Sequence, residues 1–359
     1  MENKRNYGID TLRIVSMLLI MIMHSYTYGG IISNTEFMST NFLVAHLIKA
    51  FCLVSVNCYA MITGYVCYKI IFRMSRLINL WLQVVYYTVL ITVIVYAVYP
   101  DFVGLKQFVF MIIPVSSFQY WYFTQYFALF FSIPLLNKII EIIDIDNFKK
   151  VVIVFGIILS VIPTVVDIDL FFTNNGCSFI WFMYMYMIGA YIKRCDIVKS
   201  RSKCILNYIV FSLISFAIKI IFCYLNGNID GGNIWFIYTS PFVVFVSIYL
   251  LLYFKQLKIN RIKIITFFAE GSFSVYLIHV HPLIWQNFWK NSFVNLLRLN
   301  TIELLFVDLI IVAVIFILLD ALDWWRRFLF KIINIKRIIS RVENMVNIAF
   351  NSICRTIKL

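Results

Sequence analysis

Leu12-Arg13-Ile14-Val15-Ser16-Met17-Leu18-Leu19-Ile20-Met21-Ile22-Met23-His24-Ser25-Tyr26-Thr27-Tyr28 is a run apolar enough to enter a bilayer, yet it carries an arginine and a histidine. Ionisable groups in such a segment are expensive and mark function by default. Eleven residues at about 100° each overshoot three helical turns by about 20°, so a helix places Arg13 and His24 on nearly one face. At about 1.5 Å per residue they stand roughly 16 Å apart, which predicts Arg13 at the rim of a ~30 Å hydrocarbon core and His24 near its middle. One polar stripe thus runs from the membrane edge to a buried base.

Working outward, similar apolar runs recur along all 359 residues, of which 62% are hydrophobic, 18% aromatic and only 13% charged, with a mean hydropathy of +0.90. That composition excludes a soluble domain and predicts an all-α, polytopic membrane protein. We place ten spans near residues 10–29, 42–71, 77–98, 118–137, 149–167, 178–193, 204–225, 234–254, 264–288 and 301–322. The segment 104–115 is short and ends at Pro114, so it reads as re-entrant or interfacial.

The excess of 31 Lys+Arg over 17 Asp+Glu could suggest a nucleic-acid partner, but placement argues for topology. With the N terminus inside, about 26 of the basic residues fall in alternate loops and the two ends, from Lys4 and Arg5 through Arg73 and Arg76 to Arg326, Arg327, Arg355 and Lys358. Both termini are therefore expected in the cytoplasm, in a cell membrane, with lipid rather than nucleic acid as the surrounding partner. Residues 7–325 read as one membrane domain. Residues 326–359 alternate apolar and basic positions at helical spacing, which predicts an amphipathic tail on the anionic inner leaflet. The eight cysteines lack CxxC spacing, so neither a disulfide framework nor a metal site is expected.

In the ninth span Ser272, Tyr276 and His279 share one helical face, with Glu270 nearer the cytoplasmic end and Pro282 beyond. A kink at Pro282 would open room for an acceptor, making Ser272, Tyr276 and Glu270 candidate substrate-binding residues and His279 a second catalytic candidate beside His24. A helix–helix hydrogen-bond ladder explains the same stripe equally well. His281 points about 200° away and is expected at the interface. His46, Lys49 and Lys219 are further polar insertions, read as snorkelling or cavity-lining groups.

Gly8-Ile9-Asp10-Thr11-Leu12-Arg13 followed by His24-Ser25 resembles the opening of the acyltransferase 3 family. The likeness continues through Asn57–Tyr65, with Ile62-Thr63-Gly64-Tyr65 similar to a Ser-Gly-aromatic element, and through Arg73-Met74-Ser75-Arg76. Trp121-Tyr122-Phe123, Trp181–Arg194 with Ile188-Gly189-Ala190-Tyr191, and Ser272–His279 follow in the family's order. Thr63 stands where the family has Ser, and Asn79-Leu80-Trp81 stands where a proline is common.

The resemblance implies a ten-helix membrane enzyme that moves an acyl group, usually acetyl, from acyl-coenzyme A to a surface glycan. In it the first-span His is essential and the Arg stretch faces the donor. The residues agree: an imidazole that titrates near neutral pH takes and returns protons, and arginine forks suit phosphates. Arg13, Arg73 and Arg76 are thus the candidate donor-binding residues, with acetyl-coenzyme A as co-substrate and no metal. The expected acceptor is a hydroxyl of a cell-surface polysaccharide or its lipid-linked precursor. Transfer is direct or passes through a transient covalent state. No fused extracytoplasmic domain is expected, so a relay across the membrane would need a separate transferase as partner. The rival reading is a non-enzymatic flippase for acyl groups or lipid-linked sugars, with the stripe as permeation path.

Overall fold

The computed structural model describes residues 5–357, with side chains through Ala349; Lys4, Lys358 and the side chain of Arg355 lie outside what is described. Ten helices run back and forth as a bundle: α1 (Tyr7–Thr27), α2 (Thr40–Cys67), α3 (Met74–Val98), α4 (Trp121–Ile142), α5 (Ile145–Val166), α6 (Phe179–Arg194), α7 (Arg201–Asn226), α8 (Pro241–Lys255), α9 (Lys263–His279) and α10 (Thr301–Ile332). A final helix, α11, spans Ile335–Ile357. The protein is an all-α polytopic membrane protein, and strands are absent among the described residues.

Eight segments are long and apolar enough to cross a bilayer, α8 among them only together with the turn before it (Asn233–Lys255), and α9 with Pro282–Arg298 makes a ninth, bent by 59°. The remaining expected span, α6, is only 16 residues, about 24 Å, and lies buried inside the bundle. A helix short of the ~30 Å core is tolerated where protein rather than lipid surrounds it. Residues 104–115 make a one-and-a-half-turn helix, Leu105–Phe110, and a run of turns tied to α3 by the Thr88 hydroxyl donating to Met111 O at 2.6 Å. The boundary expected at 325/326 falls inside α10, which continues to Ile332 before Asn334, at φ 51°, turns the chain into α11.

Lipid gives helices no hydrophobic reason to associate, so close backbone approach has to supply the contact. The α2–α6 crossing shows how. A Cβ on Gly64 would strike the Tyr186 carbonyl, and one on Gly189 would strike that of Met61. The two glycine-aromatic elements of the sequence therefore meet face to face. Around this crossing, Asn57 on α2 accepts from Trp181 Nε1 at 2.9 Å and donates to Tyr238 O at 2.9 Å.

Helix α1 is the central strut, packed against α2, α8, α9 and α10. The residues just before it tie it to two neighbours: Arg5 pairs with Glu270, two turns into α9, at 3.2 Å, and Asn6 donates to Lys255 O at the end of α8. Its far end joins the connection after α9, where Asn291 and Phe293 donate to Tyr28 O and Gly29 O. Lys219, expected to snorkel or line a cavity, is instead buried and clasps a loop, its ammonium donating to Ile229 O, Gly231 O and Asn233 Oδ1.

Candidate active site

Helix α1 ends at Thr27, which puts His24 in its last turn, about 5 Å from the helix end. There it meets the last residue of α9. His24 Nδ1 lies 3.1 Å from His279 Nε2, and His279 Nδ1 lies 2.7 Å from Val275 O. A carbonyl only accepts, so His279 carries its proton on Nδ1 and leaves Nε2 bare; His24 Nδ1 must then donate to it. In the neutral pair the one remaining lone pair is on His24 Nε2. The His24 ring is held edge-on between Trp285 at 4.9 Å and Tyr28 at 5.6 Å.

His24 lines a cavity of about 420 Å³, at the end of the bundle where α1 and α9 finish and α4 begins. Its walls are aromatic, among them Tyr59, Trp121, Tyr122, Tyr238, Tyr276 and Trp285, with Gln119 and Gln286 as the amides. The Tyr276 hydroxyl and Gln119 Oε1 are buried and have no hydrogen-bond partner among the described residues. Both atoms are covered by neighbouring protein groups and do not face the cavity space.

The opposite end of the bundle is basic. Arg13 pairs with Asp10 at 3.0 Å, and the other oxygen of Asp10 takes Arg5 at 2.5 Å. Arg73 and Arg76, at the start of α3, are exposed and line a second cavity of about 140 Å³ with Cys67, Tyr126 and Phe130. Tyrosines join the two ends. Tyr59 lines the His24 cavity while its hydroxyl donates to Arg13 O at 2.9 Å. Tyr122 lines the first cavity and Tyr126, one turn along α4, lines the second. At the basic end α11 closes in, with Glu343 accepting from Ser75 N at 2.8 Å beside Arg76.

The residues singled out from sequence divide cleanly. His24, His279 and Tyr276 come together at one end; Arg73 and Arg76 come together at the other, with Arg13 on the stripe between. Glu270 does not line the cavity. It is half-exposed and ion-paired to Arg5 and, at 3.7 Å, to Arg327. Ser272 is buried with its hydroxyl donating to Phe268 O at 2.7 Å, away from the cavity lining. His281, expected at the interface, is buried and caps the next segment by accepting from Leu283 N.

Sequence reading missed three aspartates on α10. Asp308, Asp320 and Asp323 are fully buried. Asp323 takes hydrogen bonds from Tyr87, Ser274 and Arg326 and pairs with Arg327 at 3.0 Å, and Arg327 lies 3.5 Å from Asp320. The signal was available, since an acid in an apolar span deserves the same suspicion as Arg13 and His24. Drawing the tenth span to residue 322 left Asp323 just outside it.

No curated relative and no solved structure matches the chain. A family model described as an acyltransferase domain matches residues 6–320 of the 359, a range that takes in the His24 cavity, the Arg73–Arg76 stretch and all ten helices through Asp320. This membrane protein therefore belongs to the acyltransferase 3 family.

Proposed function

We propose that the protein transfers an acyl group, most simply acetyl, from acyl-coenzyme A to a hydroxyl of a cell-surface polysaccharide or its lipid-linked precursor. The observation that carries the reading is the His24–His279 pair, which leaves one basic nitrogen, Nε2, on a His24 ring that lines the cavity. Arg73 and Arg76 on the other side, with Arg13 between, suit the phosphates of coenzyme A, each offering a planar fork of donors. Tyr59, Tyr122 and Tyr126 lie between the two cavities and mark the line along which the thioester arm would run. The basic ends sharing one face of the bundle favour a cytoplasmic donor side and cytoplasmic termini.

In the proposed reaction His24 Nε2 accepts the proton of the acceptor hydroxyl as its oxygen attacks the thioester carbonyl. The new C–O bond forms, the tetrahedral adduct collapses with cleavage of C–S, and the same proton passes from Nε2 to the departing thiolate. His279 touches neither reactant. It is a positioning residue, holding the His24 tautomer and accepting from Nδ1–H while the ring is cationic. In this scheme both reactants meet at one nitrogen and transfer is direct.

The test is acetyl-ester content of the surface polysaccharide, read by NMR in cells lacking the gene and complemented with wild type or His24→Ala. Ester lost on deletion and restored by wild type but not by a well-expressed His24→Ala protein supports the assignment. Full restoration by His24→Ala overturns the mechanism, and unchanged ester on deletion overturns the acceptor.

A further inference from the structure

We propose that the groove between α3 and α11 is a phosphate site in which Arg76 and Lys336 together hold a phosphate monoester, the ribose 3′-phosphate of coenzyme A being the expected occupant. The identity of that occupant rests on the acyl-transfer reading, whereas the phosphate chemistry stands on the groove itself.

After Asn334 turns the chain, α11 packs against α3. Lys336, Ile339, Ser340 and Glu343 recur at i, i+3, i+4 and i+7, so one helical face carries all four. That face is the one turned to α3: Ile339 is buried, and Glu343 accepts from Ser75 N at 2.8 Å. Arg73, at the N-cap of α3, makes no capping bond, and the tail's carboxylate satisfies this first-turn amide instead. Beside it lies a groove of about 390 Å³, lined by Arg76 and Asn79 from α3 and by Lys336 and Ser340 from α11. Glu343 is the one acid on its walls. Among the described residues neither Arg76 nor Lys336 takes part in an ion pair. Two unpaired cations, with an amide and a hydroxyl on the same walls, are a donor set for phosphate oxygens. A monoester carries nearly two charges at neutral pH and three acceptor oxygens, which matches two cations better than the single charge of a lipid phosphodiester does. Arg76 and Asn79 also line the smaller cavity that holds Arg73, so the two spaces share a wall. The family match ends at residue 320, and α11 therefore brings Lys336 to the basic end from outside the matched segment.

Binding without turnover tests the site. The full chain in phosphatidylcholine nanodiscs is titrated calorimetrically with coenzyme A and with 3′-dephospho-coenzyme A, as wild type, Lys336→Ala and Lys336→Arg. Lys336 is exposed, so both variants should fold, which size-exclusion checks. The expected result is that wild type binds coenzyme A about tenfold or more tighter than the dephospho form, that Lys336→Ala loses this preference, and that Lys336→Arg keeps most of it. A second arm measures, by mass spectrometry, the anionic phospholipid that each protein retains on purification. Retention that falls in Lys336→Ala, with no coenzyme A preference in wild type, keeps the phosphate site and overturns coenzyme A as its occupant. Nucleotide preference and lipid retention that Lys336→Ala both leaves unchanged overturn the proposal. Thiol release from acetyl-coenzyme A, compared between wild type and His24→Ala, separates the two readings. A Lys336-dependent preference without His24-dependent release sinks acyl transfer and leaves the groove standing. His24-dependent release with no dependence on Lys336 in either arm does the reverse.

Discussion

His279→Ala is the sharpest perturbation the geometry offers. In the wild type, His279 Nε2 is the acceptor for His24 Nδ1–H at 3.1 Å, in a position with no water access, since His279 is 1% exposed. Removing it leaves a buried N–H unpaired, a penalty of about 1–3 kcal/mol. The ring escapes by moving its proton to Nε2 or by rotating, and either response takes the lone pair away from the acceptor. At about 1.36 kcal/mol per factor of ten, the reactive form falls about 5- to 150-fold, and kcat with it. The KM for acyl-coenzyme A should change little, because His279 lies at the opposite end from the arginines. His279→Gln, whose amide oxygen can accept from Nδ1–H, should recover most of the loss. The assay is the initial rate of thiol release by purified protein in nanodiscs supplied with acceptor-bearing membranes. The decisive comparison is the double variant. If His279 acts only through His24, His24→Ala with His279→Ala is no slower than His24→Ala alone. Multiplied losses, or a His279→Ala protein with wild-type kcat, would refute the reasoning.

Three further outcomes follow from the basic end and the packing. Arg76→Ala should raise the KM for acyl-coenzyme A about 10- to 100-fold, the worth of a charged hydrogen bond, with kcat nearly unchanged, measured by the same thiol release. Gly189→Leu drives a side chain into the Met61 carbonyl and should abolish accumulation of folded protein, read by size-exclusion of a fluorescent fusion, whereas Ala at the exposed Leu206 should not. Asp323→Ala strips Arg326 and Arg327 of their buried carboxylate and should destabilise the fold by about 3–5 kcal/mol, read as a lowered thermal midpoint in detergent.

What the sequence made legible was whatever depends on local periodicity. The ten apolar runs coincide with ten helices because each needs only its own composition and a ~30 Å slab to be recognised. Arg13 and His24 stood out because both lie on one segment and one helical face. The pairing of His24 with His279 joins residues 255 positions apart, and no local rule connects them. The aromatic cavity was illegible for a related reason. With 65 Phe, Tyr and Trp residues in the chain, those facing lipid look no different in sequence from those facing His24. Glu270 shows the opposite failure: the right helix and nearly the right stripe, but two arginines, Arg5 just before α1 and Arg327 on α10, claim its carboxylate.

Those arginines also explain how a site split between two ends of a bundle keeps its geometry. Helices α1 and α9 are pinned to each other twice. At the basic end Asp10 gathers Arg5 and Arg13, Arg5 reaches Glu270, and Glu270 faces Arg327, which α10 holds through Asp320 and Asp323. At the other end the pin is the His24–His279 hydrogen bond. Between Asp10 and His24 lie about 21 Å of uninterrupted helix, and between Glu270 and His279 about 14 Å, so neither end shifts along its axis without carrying the other. A slip of one turn of α1 against α9, about 5.4 Å, would break the Arg5–Glu270 pair and the His24–His279 bond at once. The ion pairs therefore set the axial register of α1 against α9, and that register decides whether His24 Nδ1 finds an acceptor and His24 Nε2 is left free for chemistry.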